Sequence, residues 1–294
     1  MITLNLKGGL CNQLFQIFAV IAYSIQHKQP FVFPFQEFLT IGIKRPTYLN
    51  TFLNSLKQFT VINPRYGLTN NSIRNFYILQ WNQHEYKELP SFSTNQNVMF
   101  DGYFQSYKYF EKYEKNIFSL IRLELQQNKI ADEFPLYCKT ENTYNISMHF
   151  RLGDYKYIQN SHNILPIEYY KKSLEYIVNN FQSNNENKKI KVIFFCERED
   201  NEYVFSQINI LASNFPNIEF LKVDDSIPDW KQLMIMSLCD SNIIANSTFS
   251  WWGAYFGDKN NRIVTYPSQW FGPSLSNNKL DDMFPLNWTK IDIS

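Results

Sequence analysis

Apolar and polar residues trade places at every position from Ile146 to Arg151, with Ile146, Met148 and Phe150 set against Ser147, His149 and Arg151. A period of two is the mark of a strand with two unlike faces. Gly153 supplies a turn where that strand stops, and Asp154 follows at once. Apolar runs at 190–195, 220–223 and 241–245 predict further strands, and each closes on a polar segment. Helices are expected after 150, 195, 223 and 245. The first starts at Leu165-Pro166-Ile167-Glu168, with Pro166 near its first turn, and continues through Leu174, Ile177, Val178 and Phe181 at helical spacing. Another spans 230–238, and the polar stretch 184–189 reads as a solvated loop. Regular strand–turn–helix alternation predicts a parallel, doubly wound sheet.

The first half is patterned differently. A short apolar strand at 2–6 runs into Lys7-Gly8-Gly9, and the apolar residues of 14–23 fit a largely buried helix. Strand, glycine turn and helix bring backbone N–H groups up to an anion or a sugar hydroxyl. The spacing is not the G-x-G-x-x-G fingerprint, so a structural turn is the simpler reading. Asn12 and Gln13 add uncharged amides suited to hydroxyl recognition. Short strands are expected at 30–33, 61–62 and 98–100, and a loop at 69–72. The aromatic cluster 103–110, which includes Gln105, leads into a helix through about Leu125. Its rings suit either a sugar subsite or the core, and core is expected for most. The polar interval 139–143 places the boundary between domains 1–142 and 143–294.

Composition narrows the functional classes. The 294 residues are 44% hydrophobic and 17% aromatic, ample for two packed cores, while a net charge of +1 gives no basic field for nucleic acid. Any phosphate site must be built locally. Cys11, Cys138, Cys196 and Cys239 are scattered, with no C-x-x-C pair, and read as free thiols. Met1 leads directly into the first strand with no basic, apolar leader, and no run is long enough to span a bilayer. A cytoplasmic protein is expected; nothing addresses its oligomeric state.

In an open α/β sheet, ligands bind beyond the carboxyl ends of the strands. His149, Arg151 and Asp154 arrive there together, and the planar fork of an arginine suits a diphosphate. The plainer alternative is a half-exposed Arg151 paired with Asp154. Asn246, Ser247, Thr248 and Ser250 offer a second set of amide and hydroxyl donors at a helix start. Asp224 and Asp225, or Glu197 and Glu199, can accept from a guanine edge or from ribose hydroxyls; a cap or a surface charge is the alternative for each.

Several segments, in order, resemble the α-1,2-fucosyltransferases, glycosyltransferase family 11. They are Lys7-Gly8-Gly9-Leu10-Cys11-Asn12-Gln13-Leu14-Phe15-Gln16, Gly102-Tyr103-Phe104-Gln105-Ser106-Tyr107-Lys108-Tyr109-Phe110, His149-Phe150-Arg151-Leu152-Gly153-Asp154, and the run from Asn242 to Ala254, followed by Tyr266-Pro267 and Trp270-Phe271. The resemblance implies a GT-B fold, two Rossmann-like domains facing across a cleft. It implies transfer of L-fucose from GDP-β-L-fucose with inversion and no metal or cofactor, typically to the 2-hydroxyl of a terminal β-galactose. By it, Arg151 holds the diphosphate with His149 beside it, Thr248 and Ser250 contribute donors, and Asn12 and Gln13 stand near the fucose or acceptor; the reading of the residues themselves adds Asn246, Ser247, Asp224 and Glu197 to the donor side and Gly9 and Gln105 to the acceptor side. Asp154 is the first candidate for the base, ahead of Asp101 and Glu197.

Two positions depart from the family pattern. Its paired arginines become Arg151-Leu152, and Cys11 replaces a glycine. Alternation directs Leu152 away from the face that Arg151 uses, and Cys11 implies a backbone that does not need φ > 0. A silent GDP- or glycan-binding protein of the same fold, and a transferase for another GDP-sugar, are the alternatives.

Overall fold

The computed structural model describes residues 1–39, 43–82, 85–182, 188–257, 260 and 262–293. The chain forms two compact units, Met1–Glu124 with Asn278–Pro285, and Leu125–Asn277 with Leu286–Ser294.

In the first unit, β1 (Ile2–Leu4) turns through the glycines into α1 (Leu10–Gln26), whose residues are buried on nearly every side. A helix apolar all round belongs inside a core. Gly8 stands at φ +76°, and a Cβ there would meet the Asn12 amide at 2.7 Å. The buried Gln16 closes the turn, accepting from Lys7 N at 3.0 Å and donating to Lys7 O at 2.8 Å. Cys11 is helical, as its lack of glycine implied. There follow β2 (Phe38–Leu39) and β3 (Arg45–Pro46), an antiparallel pair, then α2 (Asn70–Arg74), β4 (Tyr77–Trp81), β5 (Val98–Gly102) and α3 (Glu114–Leu120); α4 (Leu123–Glu133) begins at the division and belongs mostly to the second unit. Strands β1, β5 and β4 make a parallel sheet in that order. The aromatic segment is core, as expected: Phe104 and Phe110 are buried, and Phe110 meets Phe18 of α1 edge-on at 5.3 Å.

Several expectations need correction here. Residues 30–33 make only isolated bridges, Ile2 to Phe31 and Phe33 to Thr60, and 61–62 is a turn. Residues 69–72 are not a loop but the start of α2. Thr69 and Ser72 form a reciprocal capping box, which satisfies the helix's first donors. The helix toward Leu125 breaks at Arg122, whose φ of +55° separates α3 from α4.

The second unit runs β6 (Thr143–His149), α5 (Ile167–Gln182), β7 (Lys189–Phe195), α6 (Asn201–Asn214), β8 (Glu219–Lys222), α7 (Asp229–Leu238), β9 (Ser241–Ile243), α8 (Thr248–Tyr255), β10 (Val264–Pro267) and β11 (Thr289–Ile291). The expected loop at 184–189 falls partly on 184–187, which lie outside the described residues. All six strands are parallel, in the order β11-β10-β9-β6-β7-β8. Counted within this unit the order is 6-5-4-1-2-3, that of dinucleotide-binding sheets, and the strand direction of travel reverses between β6 and β9. An α/β chain with a parallel sheet in each of two units is what the sequence predicted.

The apolar face of β6 continues through Phe150 into Leu152, and all four of Ile146, Met148, Phe150 and Leu152 enter one core with Tyr170, Leu174 and Ile177 of α5. The polar face is covered too, since Ser147 and His149 are buried and Ser147 accepts from Asn242 Nδ2 at 2.6 Å. Helix α8 approaches α7 closely at Gly253, where a Cβ would meet Met236 at 2.7 Å.

The units divide at Glu124, not at the expected 142. Segment 125–142 is polar in sequence but bound into the second unit. Gln127 Nε2 donates to Ser237 Oγ at 2.9 Å and Phe256 O at 3.0 Å, Lys231 pairs with Glu133, and Tyr137 OH accepts from Asp224 N at 3.1 Å.

Candidate active site

Strand β6 delivers its last residues to the point where the sheet order reverses. His149 is buried, and its Nδ1 shares a hydrogen bond of 2.9 Å with Ser250 Oγ in the first turn of α8. That hydroxyl also accepts from Ala245 N at 3.1 Å, so the end of β9, α8 and β6 are fastened together. Ser247 caps α8 by accepting from Phe249 N at 3.3 Å. Thr248 begins the helix and is partly exposed. Burial, with Arg151 adding to it, drives the His149 imidazole down to about 3. The imidazole beside Arg151 is therefore neutral and adds no second charge to the guanidinium.

That buried neutral ring has a consequence for stability. Its unfolded value is 6.5 and its folded value about 3, so between these limits the unfolded chain binds the proton and the folded chain does not. The contribution is intact above 6.5 and is lost as the pH falls, by up to about 1.4 kcal/mol per unit. Urea unfolding between pH 7 and 4.5 is expected to show this acid limb in the wild type and a shallower one in His149→Gln. Parallel curves for the two proteins would refute it.

Arg151 is partly exposed, its two terminal nitrogens on Glu197 Oε1 and Asp154 Oδ1, and its guanidinium 5.0 Å from the centre of the Tyr155 ring. The plainer sequence alternative, Arg151 paired with Asp154, is therefore present. Glu197 joins it from the end of β7. Both acids are about half exposed and sit within reach of solvent. Gly153 makes the turn possible with φ +41°, and a Cβ there would push on Glu197 Oε2 at 2.7 Å. Its N–H donates to Asp200 Oδ2 at 2.8 Å, and the other oxygen of this buried carboxylate pairs with Lys156. Leu152 points into the core, away from Arg151, as alternation predicted.

The remaining donor-side residues are employed otherwise. Asn246 is buried and its amide ties two loops, donating to Asn163 O at 2.8 Å and Trp270 O at 3.2 Å, while its Oδ1 has no partner. Asp224 closes its own turn, accepting from Ser226 N at 2.8 Å, and that bond holds its carboxyl below the usual range. Asp225 is bound by Lys222 and Asn201, each at 2.7 Å.

The acceptor-side residues lie in the first unit, at the start of α1. Gly9 is its N-cap with open space around the position of a Cβ. Asn12 is partly exposed and accepts from Gln105 Nε2 at 3.0 Å, so these two amides are brought together. Gln13 is fully buried. Its amide nitrogen donates to Gly8 O at 3.0 Å and Pro46 O at 2.9 Å, which makes it a brace for the turn and not a presented hydroxyl reader. Asp101 is buried and pairs with Lys7, with Gln80 donating to it at 3.0 Å.

Sequence reasoning missed Tyr155, Lys156, Asp200 and His162. Tyr155 and Lys156 follow Asp154 directly and Asp200 ends the polar run after β7, so position was visible; partnership was not. Among the described residues no cluster of three His, Cys, Asp or Glu side chains can hold a metal ion, and no helix is long and apolar enough to cross a membrane. All four cysteines are unbridged.

Chemically, the second unit offers a guanidinium, a capped helix start and a neutral imidazole–hydroxyl pair at one strand edge. That set can hold a diphosphate and stabilise its departure as a leaving group.

Comparison with known proteins points to one family. The glycosyl transferase family 11 profile matches residues 1–292. The O-antigen biosynthesis glycosyltransferase WbnK of Escherichia coli is 28% identical over 305 residues, covering 93% of this chain and 95% of that protein. An α-1,2-colitosyltransferase of Escherichia coli is 26% identical over 307 residues, covering 98% of each. Among solved structures, ADP-heptose LPS heptosyltransferase II of E. coli is similar with a TM-score of 0.49 at 10% identity, over 99% of this chain and 89% of that one.

Proposed function

The chain belongs to glycosyl transferase family 11 and is a glycosyltransferase; from this we propose that it transfers L-fucose from GDP-β-L-fucose to a glycan hydroxyl, the 2-OH of a terminal β-galactose, with inversion and without a metal. The observation that carries the reading is Arg151, set at the carboxyl end of β6 beside the joined His149 and Ser250. In this reading the acceptor oxygen attacks the anomeric carbon as the bond to the β-phosphate oxygen breaks, and GDP departs toward Arg151 and the start of α8. The acceptor proton passes to a base, with Asp154 the first choice because its carboxylate stands at the same turn and half in solvent.

Glu197 then acts as the resident counter-ion of Arg151, which the incoming diphosphate replaces. Glu197→Gln removes a negative charge from the path of an anionic ligand, so GDP is expected to bind about three- to tenfold tighter. Calorimetric titration checks this. Weaker binding by the variant would instead place Glu197 on the donor itself.

The direct experiment is GDP release from GDP-fucose with and without lactose. Acceptor-dependent release supports fucosyl transfer. Donor binding without release over a broad acceptor panel would support a silent binding protein. A second donor is worth the same assay, because a relative spanning the whole chain is an α-1,2-colitosyltransferase; turnover of a colitosyl or mannosyl donor in preference to GDP-fucose would move the assignment to that sugar.

A further inference from the structure

The turn after Arg151 runs into a cluster that the proposed chemistry does not use. His162 stacks on Tyr155 with ring centres 4.7 Å apart and planes 19° from parallel, and the Arg151 guanidinium lies 5.0 Å from the centre of that same ring. Phe271 packs on the imidazole at 5.6 Å and 53°. The hydroxyl of Tyr155 donates to Asn246 O at 3.1 Å, so one end of the ring is pinned and its plane is left to its neighbours.

The segments that carry His162 and Phe271 are themselves bound to each other. Gly272 N donates to Ser161 O at 2.9 Å, Ser274 N donates to Asn160 O at 2.8 Å, and Asn246 reaches both Asn163 O and Trp270 O. Gly272 sits so close that a Cβ would lie 2.3 Å from Gln159 O. The imidazole is thus wedged by backbone fixed independently of Arg151. Its Nδ1 is buried with no hydrogen-bond partner, so the flat ring face is the part of His162 that makes contacts. Burial lowers its proton affinity, Asp154 opposes this and Arg151 adds to it, which keeps a second cation off the Tyr155 ring.

We propose that His162 is a positioning residue for Arg151: by fixing the plane of Tyr155 it fixes the surface on which the guanidinium rests. The role deepens the assignment of Arg151 to the donor's diphosphate and rests on it. An arginine needs its fork held in one orientation to grip two oxygens, and a flat aromatic face is a means of holding it.

The test uses the full chain, with His162→Ala removing the ring and His162→Phe restoring one of similar shape. His162→Leu, of comparable bulk without a flat face, stands in if the alanine variant fails to fold. Two readouts are taken. One is the side-chain Nε–H resonance of Arg151 in protein labelled with 15N-arginine, assigned by its loss in Arg151→Lys. The other is GDP affinity, with donor and acceptor KM. His162→Ala is expected to shift or broaden the resonance, weaken GDP about tenfold, and raise donor KM while acceptor KM holds. His162→Phe is expected to restore both readouts, GDP affinity to within about threefold of wild type. An unmoved Arg151 resonance in His162→Ala, or failure of His162→Phe to restore it, overturns the role. Wild-type protein that binds no GDP, yet whose Arg151 resonance answers to His162→Ala, overturns the diphosphate assignment alone.

Discussion

Arg151→Ala is expected to lower kcat/KM for GDP-fucose by about two to three orders of magnitude while the protein stays folded. Loss of a charge-assisted contact costs roughly 1.5–3 kcal/mol by itself. Here the deletion does more, because Glu197 and Asp154 lose the cation between them and turn two carboxylates toward an anionic leaving group. Both acids are about half exposed, so the folded state loses less, about 1 kcal/mol or under. Arg151→Lys is expected to recover only part of the activity, since an ammonium is a point charge without the planar fork. Acceptor-dependent GDP release, read beside a urea unfolding curve, separates the two effects. Activity within threefold of wild type would remove Arg151 from the reaction.

The second large effect is on the fold. Trp251 is fully buried, stacked on Tyr255 at 4.7 Å and 13°, edge-on to Trp252 at 5.1 Å and near Trp288 at 5.5 Å. Trp251→Ala empties that space and is expected to cost about 3–5 kcal/mol. It follows Ser250 in the chain, so loosening α8 also loosens the hydroxyl that meets His149. The expected result is a lower urea midpoint together with weaker GDP binding in the fraction that remains folded. A loss under 1 kcal/mol would show that the aromatic cluster collapses around the gap.

Strands β6 to β9 were legible because alternation in β6, and apolar residues in β7, β8 and the end of β9, give way abruptly to polar ones, and that ending is also where the chemistry sits. Strands β10 and β11 were not, being short and closed by proline or by the chain's polar end. β4 escaped because its residues are mostly exposed and carry no alternation. Thr69 and Ser72 looked like a loop because small polar side chains serve loops and helix caps equally. Of the site, the edge residues His149, Arg151 and Ser250 could be read from position along a strand or helix start. The buried state of Gln13 and Asn246 could not, since an amide that braces backbone carbonyls has the same letter as one that faces a ligand. Asp200 and His162 depend on neighbours 47 residues before and 109 residues after them, Gly153 and Phe271, and no local pattern records such partners.

The return of 278–285 to the first unit gives the protein a particular history on the ribosome. Asp282 pairs with Lys108, takes Tyr86 N at 3.3 Å and offers its carbonyl to Ser106, while Met283 and Phe284 are buried. The amino-terminal unit therefore waits for its last piece until the whole of 125–277 has been made, about 8–30 s at roughly 5–20 residues per second. During that interval the nascent first unit is short of part of its core, and it is a natural client for a chaperone that shields apolar surface. A chain released before residue 278 would leave the first unit without its closing segment and the second without β11.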